Sequence, residues 1–169
     1  REYVNPVIGG AINDVGTLEW FGTDFVVTID GQFAESSSGS TGTSMTKRLY
    51  GRDFGINIPA TAEICGIEAE IVRKASASTP SNYVTDADVR LYVNYMVAGT
   101  NQANAGIKWP ATTGTATYGS NSNSWGLTLT GADVSTDAFG VGISASIARA
   151  SGTVTASVDA IRVRLHYYE

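Results

Sequence analysis

Cysteine, histidine, charge and long apolar runs are all scarce in this chain of 169 residues. The one cysteine, Cys65, excludes an internal disulfide framework and a thiolate metal cluster, so stability has to come from a packed core or from association with other chains. Cys65 itself is expected to sit buried as a small apolar side chain. The one histidine, His166, leaves zinc without its usual donor set and offers a nucleophile a single imidazole base. Between Leu165 and Tyr167 on an expected strand, it reads as an exposed strand residue rather than a catalytic one. No apolar stretch reaches the ~18 residues of a bilayer-crossing helix, and no charged start with an apolar centre marks a leader, so no membrane insertion is expected. Charged residues make up only 16% of the chain, and Leu, Lys and Glu, the usual fillers of helix surfaces, are few. The 11 basic residues are scattered among 16 acids, and the net charge of −5 provides no phosphate-binding stripe, so nucleic acid is not an expected partner.

What remains is a chain 43% apolar and rich in Gly, Ser, Thr and Ala, long enough for one buried core. Its apolar residues alternate with polar ones, which is the period of half-buried strands. Phe25, Val27 and Ile29 alternate before the turn dipeptide Asp30-Gly31, predicting a strand over Phe25–Ile29. Ile67, Ala69 and Ile71 alternate with Glu68 and Glu70. Val89, Leu91, Val93 and Tyr95 are expected inward, with Arg90, Tyr92 and Asn94 outward. Val141, Ile143, Ala145 and Ile147 form a further face, as do Ile161, Val163, Leu165 and Tyr167, and a short strand is expected near Leu127–Thr130. The polar run Ala34–Ser44 has no apolar period and reads as a loop or linker. These strands, with no amphipathic helix between them, predict an all-β fold: an antiparallel β-sandwich, jelly-roll-like, with residues 1–20 as an N-terminal arm or edge strand and 21–169 as a single sandwich domain. The segments Ile64–Ile71 and Val158–Leu165 share an apolar pattern. If they are antiparallel neighbours, Glu68 and Glu70 face Arg162 and Arg164 across the sheet.

Groups able to do chemistry are sparse. Asp86 with Asp88, and Asp133 with Asp137, could offer oxygen ligands to calcium, but neither pair has the spacing of a dedicated loop, so turn caps are expected and no metal or cofactor. Sixteen acids do not exclude a glycosidase pair by count, yet nothing singles out two of them, and a non-enzymatic protein is expected. Trp109 and Trp125 lie in turn-rich segments, where an indole either closes the end of a core, the favoured reading, or stacks on a sugar.

The succession of "NP" (Asn5, Pro6), "FGINIPATAEICGIEAEIVRKAS", "VRLYV", "KWPATTGTATYGSNSNSWGLTLT", "ADVSTDAFGVGISAS" and "TASVDAIRVRLHYY" resembles a group of tailed-bacteriophage virion proteins of the β-sandwich or jelly-roll type. The resemblance runs from about Phe54 to Tyr168, and the Ser/Gly stretch before "LYGRDFG" departs from it. It implies a capsid decoration or cement protein on the virion surface, bound to the major capsid protein or other virion proteins and acting as a homo-oligomer, with a trimer favoured. The arm residues Val4, Val7, Ile8 and Ile12 are the expected contacts to the shell or to a neighbouring subunit, and removal of the arm is expected to leave the domain folded. The alternative it implies is a receptor-binding or glycan-binding module of a tail or head fibre, with Tyr83, Trp109, Tyr118 and Trp125 as candidate contacts to a host-surface glycan.

Overall fold

Alternating strands in which small residues are frequent need two layers to bury their apolar faces, and the computed structural model, which describes residues 2–169, has two. The strands in chain order are β1 (Ile8–Ile12), β2 (Ala34–Ser38), β3 (Gly42–Met45), β4 (Arg48–Arg52), β5 (Glu63–Ala75), β6 (Tyr83–Val93), β7 (Met96–Ala98), β8 (Gly114–Ser120), β9 (Gly140–Arg149) and β10 (Val154–Tyr168). A four-stranded sheet has the order β2-β10-β5-β8. A six-stranded sheet has the order β1-β4-β9-β6-β7, with β3 also pairing β9. All strand pairs are antiparallel. The chain is an antiparallel β-sandwich.

The inward faces of β5, β9 and β10 are those that alternation predicts: Ile67, Ala69 and Ile71, then Val141, Ile143, Ala145 and Ile147, then Ile161, Val163 and Leu165 are all buried in one core. The expected charge ladder also forms. β5 and β10 pair with Glu70 opposite Arg162 and Glu68 opposite Arg164. Arg162 Nε donates to Glu70 at 2.9 Å, Arg164 Nε donates to Glu68 at 2.7 Å, and His166 Nε2 lies 2.8 Å from the same Glu68 oxygen. His166 is therefore a half-buried member of this ladder. The tyrosine ring of Tyr3 covers Arg162 and Arg164.

Several local expectations are corrected. Phe25–Ile29 is not a strand: Thr23–Val26 forms a 3₁₀ turn, entered through the left-handed Gly22, that buries Val26 and leaves Phe25 and Ile29 exposed. Ala34–Ser44 is not a loop. It supplies β2 and most of β3, and in β2 Ala34, Ser36 and Ser38 face inward, where only short side chains fit beside β10. Leu127–Thr130 holds no strand, because Thr130 caps the one-turn helix α1 (Gly131–Val134) in a capping box with Asp133. Cys65 is half-buried. In β6 the alternation stops at Val93. Asn94 and Tyr95 both take left-handed φ values, 55° and 63°, and make the two-residue turn into β7, so Tyr95, expected inward, is exposed; Tyr92 lies on the outer face as expected and is buried there by its neighbours.

The N-terminal segment belongs to both sheets. Val4 exchanges two backbone hydrogen bonds with Val163 of β10, beyond the end of β2, and β1 then pairs with β4 in the other sheet. Val4, Ile8 and Ile12 are thus half-buried within the chain itself, and Val7, 68% exposed, points outward.

Candidate functional site

The outer face of the six-stranded sheet carries a groove whose cause is a pair of glycines. Leu49 on β4 and Val89 and Leu91 on β6 point into the core, so Arg48, Tyr50 and Arg52 and, across β9, Asp88, Arg90 and Tyr92 point out. The intervening β9 positions are Gly142, paired with Tyr50 and Arg90, and Gly140, paired with Arg52 and Tyr92. A Cβ on Gly142 would lie 2.7 Å from the Arg48 stem and 3.2 Å from the Tyr92 ring, so only glycine lets the flanking side chains meet over the strand. Tyr50 and Tyr92 meet edge to face with centroids 5.2 Å apart.

Arg48 lies almost fully buried under this face. Its Nε reaches Asp14 Oδ1 at 3.2 Å and Oδ2 at 3.1 Å, Nη2 reaches the same carboxylate at 3.1 Å, and Nη1 donates to Asp88 at 2.6 Å. Burial works against its charge, but hydrogen bonds to Asp14 and Asp88 outweigh that and raise its pKa. Arg90 holds the second Asp88 oxygen at 3.0 Å. The Tyr92 hydroxyl is buried without a hydrogen-bond partner among the described residues, and burial, then the charge of Asp14, pushes its pKa up.

Tyr95 stands at the rim. It is 58% exposed, yet its ring is fixed: its hydroxyl donates to Asp137 Oδ1 at 2.8 Å, the Arg52 guanidinium lies 5.3 Å from the ring centroid, and Arg52 Nη1 donates to the Asp137 carbonyl at 2.9 Å. That hydrogen bond to Asp137, followed by burial, raises its pKa. Ile12, Tyr50, Arg52, Tyr92 and Tyr95 together line a concavity of about 160 Å³. An apolar floor, fixed aromatic rings and a few polar groups at the rim suit the mixed faces of a sugar ring.

A larger cavity, about 380 Å³, opens at the side of the sandwich between β8 and residues 100–108. A β-bulge lies beside it. The register of β6 slips between Asp86 and Asp88, which turns Asp86 into the sandwich and leaves Asp88 outside. This is why the two aspartates cannot act as one ligand pair. Asp86 accepts hydrogen bonds from Arg73 Nη1 at 2.6 Å, Trp109 Nε1 at 2.8 Å, Tyr118 Oη at 2.8 Å and the Asn104 amide at 3.0 Å. Arg73 lies between the Trp109 and Tyr118 rings, 5.0 and 5.9 Å from their centroids, and Nη1 also donates to the Tyr118 hydroxyl. Burial, then the Asp86 charge, raises the Tyr118 pKa strongly.

Of the four aromatic residues singled out for glycan contact, three are buried and one is half-buried, and Tyr118 lines the larger cavity. Trp109 and Tyr118 are buried against Asp86, and Trp125 is buried with its indole donating to the Ile67 carbonyl at 2.9 Å. Tyr83 is half-buried beneath the Lys108 ammonium, 4.4 Å from its ring centroid. Tyr50, Arg52, Tyr92 and Tyr95 were not singled out. The signal available for Tyr95 was its position after Asn94 between two apolar runs, the mark of a two-residue turn. Of the other acids considered, Asp133 caps α1 and Asp137 holds Tyr95.

No family model and no curated protein sequence matches this chain. Among solved structures it is similar to a chain from a study of "CBM4 structure and function", with 12% identity over 97% of this chain and 94% of that one and a TM-score of 0.45. A carbohydrate-binding module of the β-sandwich superfamily, studied for its promiscuous specificity, aligns at 12% identity over 96% of this chain and 56% of its own, TM-score 0.35. The enzymatically active domain of bacteriophage CBA120 tailspike protein 4 aligns at 10% identity over 96% of this chain and 19% of its own, TM-score 0.33. The likeness in each case is one of fold alone.

Proposed function

We propose that this chain is a non-enzymatic glycan-binding module whose binding face is the tyrosine groove of the six-stranded sheet. The observation that carries the reading is Tyr95: an exposed ring, held in a left-handed backbone conformation and locked by Asp137 and Arg52 beside an aromatic concavity. A bulky residue at positive φ is held there at a cost of order 1 kcal/mol, and such conformations concentrate at functional sites. A ring already fixed in place loses little further freedom when a sugar stacks on it. The acids around the groove are engaged, Asp14 and Asp88 by arginines and Asp137 by Tyr95, which favours binding over acid–base catalysis.

With the sequence resemblance, the reading makes the chain an adhesion module on the surface of a tailed-phage particle, presented by a fibre or tail part and directed at a host-surface glycan. Capsid decoration, with the major capsid protein as partner and a homotrimer as the unit, is the competing reading, and the outward Val7 on the N-terminal segment is the residue it would use. The test is a binding screen against bacterial surface polysaccharides with wild type and Tyr95→Ala. Retention of a polysaccharide by wild type, weakened roughly tenfold in the variant, supports the reading, a factor that corresponds to about 1.4 kcal/mol. Equal retention by both proteins, or by neither, removes it.

A further inference from the structure

Among the described residues two arginines are buried, Arg48 and Arg73, and they are built alike on one side only. Each gives Nη1 to an aspartate of β6 at 2.6 Å, Arg48 to Asp88 and Arg73 to Asp86. On Arg48 the other side of the guanidinium, Nε and Nη2, is filled by the Asp14 carboxylate. On Arg73 the Nε and Nη2 donors have no partner among the described residues, although the side chain is only 7% exposed, and that side chain lines the 380 Å³ cavity beside β8. A guanidinium presents Nε–H and Nη2–H as a planar fork matched to two oxygens of one carboxylate, and on Arg73 this fork lines the cavity.

We infer that this cavity is a binding site for a carboxylate-bearing small molecule, whose carboxylate takes on Arg73 the place that Asp14 takes on Arg48. The cavity has room for more than the carboxylate. Gln102 and Asn104 supply amides, Thr115 a hydroxyl, and Ile107, 53% exposed, an apolar rim. A uronic acid residue of a glycan has this combination of one carboxylate, several hydroxyls and an apolar ring face, and a free small carboxylate is the simpler form of the same chemistry. Asp86 already balances Arg73, so a carboxylate adds one net negative charge beside the buried pair and a phosphate dianion two, which favours the singly charged ligand. The site is separate from the tyrosine groove and stands whether or not that groove binds sugar.

The test is an NMR titration of the ¹⁵N-labelled protein with sodium D-glucuronate, sodium acetate and D-glucose at constant ionic strength, following the Arg73 Nε–H and Trp109 indole N–H signals. The expected result is saturable movement of both signals with glucuronate and none with glucose. Acetate weaker than glucuronate assigns the site to sugar acids, and acetate equal to it assigns the site to free carboxylates. Arg73→Lys removes the fork but also disturbs a buried pair, so the deciding comparison is at the exposed rim: Ile107→Glu is expected to bind glucuronate at least about tenfold more weakly than Ile107→Gln, because the added carboxylate repels the ligand or fills the fork itself. No movement with either carboxylate, equal movement with glucose, or equal affinity of the two Ile107 variants would overturn the inference.

Discussion

Two tyrosine hydroxyls set in contrasting surroundings make opposite demands on stability. The Tyr92 hydroxyl is buried with no partner among the described residues, so removing it discards an uncompensated polar group. Tyr92→Phe is expected to leave the unfolding midpoint unchanged or to raise stability by up to about 1 kcal/mol. The Tyr118 hydroxyl donates to Asp86 and accepts from Arg73, so Tyr118→Phe takes a partner from both members of a buried ion pair and is expected to cost roughly 1–3 kcal/mol. Chemical denaturation of the two variants side by side checks the pair, and a larger loss for Tyr92→Phe would show that the polar assignments are reversed. Tyr95→Gly relieves the positive φ, so it is expected to change stability by no more than about 1 kcal/mol while removing the ring proposed to meet the sugar.

At the scale of elements, β5 and β10 form the longest pairing in the molecule and carry its charge ladder. Hydrogen bonds from Arg164, then from His166, hold the Glu68 carboxyl below its ordinary pKa of 4.5. A carboxyl depressed in the folded state contributes stability that is fully present above its unfolded pKa and is lost as pH falls through the folded value. Wild-type stability is therefore expected to fall below about pH 4.5 in part through this group, and Glu68→Gln should flatten the acid limb of a denaturation profile while lowering stability at neutral pH. An unchanged acid limb would place the acid sensitivity elsewhere. The ladder was legible in the sequence because both strands alternate cleanly and carry opposite charges at matching outward positions. β2 was not legible, since its inner face is Ala34, Ser36 and Ser38, and short side chains chosen for close approach look the same as a linker.

Over the whole molecule, one core joins the two sheets, and Leu91 and Ile161 lie at zero exposure in opposite layers of it. Leu91→Ala and Ile161→Ala are each expected to cost roughly 2–5 kcal/mol in chemical unfolding, and a wild-type midpoint for either would contradict its burial. The N-terminal segment closes one side of the sandwich through Val4 on β10 and β1 on β4. Deleting residues 1–15 would free an edge in both sheets and is expected to lower the unfolding midpoint, as fits the edge-strand form of the sequence expectation better than the arm form.

The sequence by itself determined the class: scarce cysteine and charge, apolar alternation and turn dipeptides leave an antiparallel sandwich as the way to bury what must be buried. It also put the Glu and Arg side chains of the ladder on outward faces, because a period of two maps sequence position directly onto sheet face, and the pairing of β5 with β10 then made them partners. Only the tertiary structure decided where a concave surface lies. A bulge of one residue in β6 reversed the facing of Asp86 relative to Asp88, a two-residue turn carried Tyr95 outward, and two glycines on β9 let Arg48, Tyr50 and Tyr92 converge from neighbouring strands. The bulge and the convergence over the glycines depend on register between segments far apart in the chain, which alternation within one strand does not encode, and the turn is local but gives its meaning to Tyr95 only beside Asp137 and Arg52.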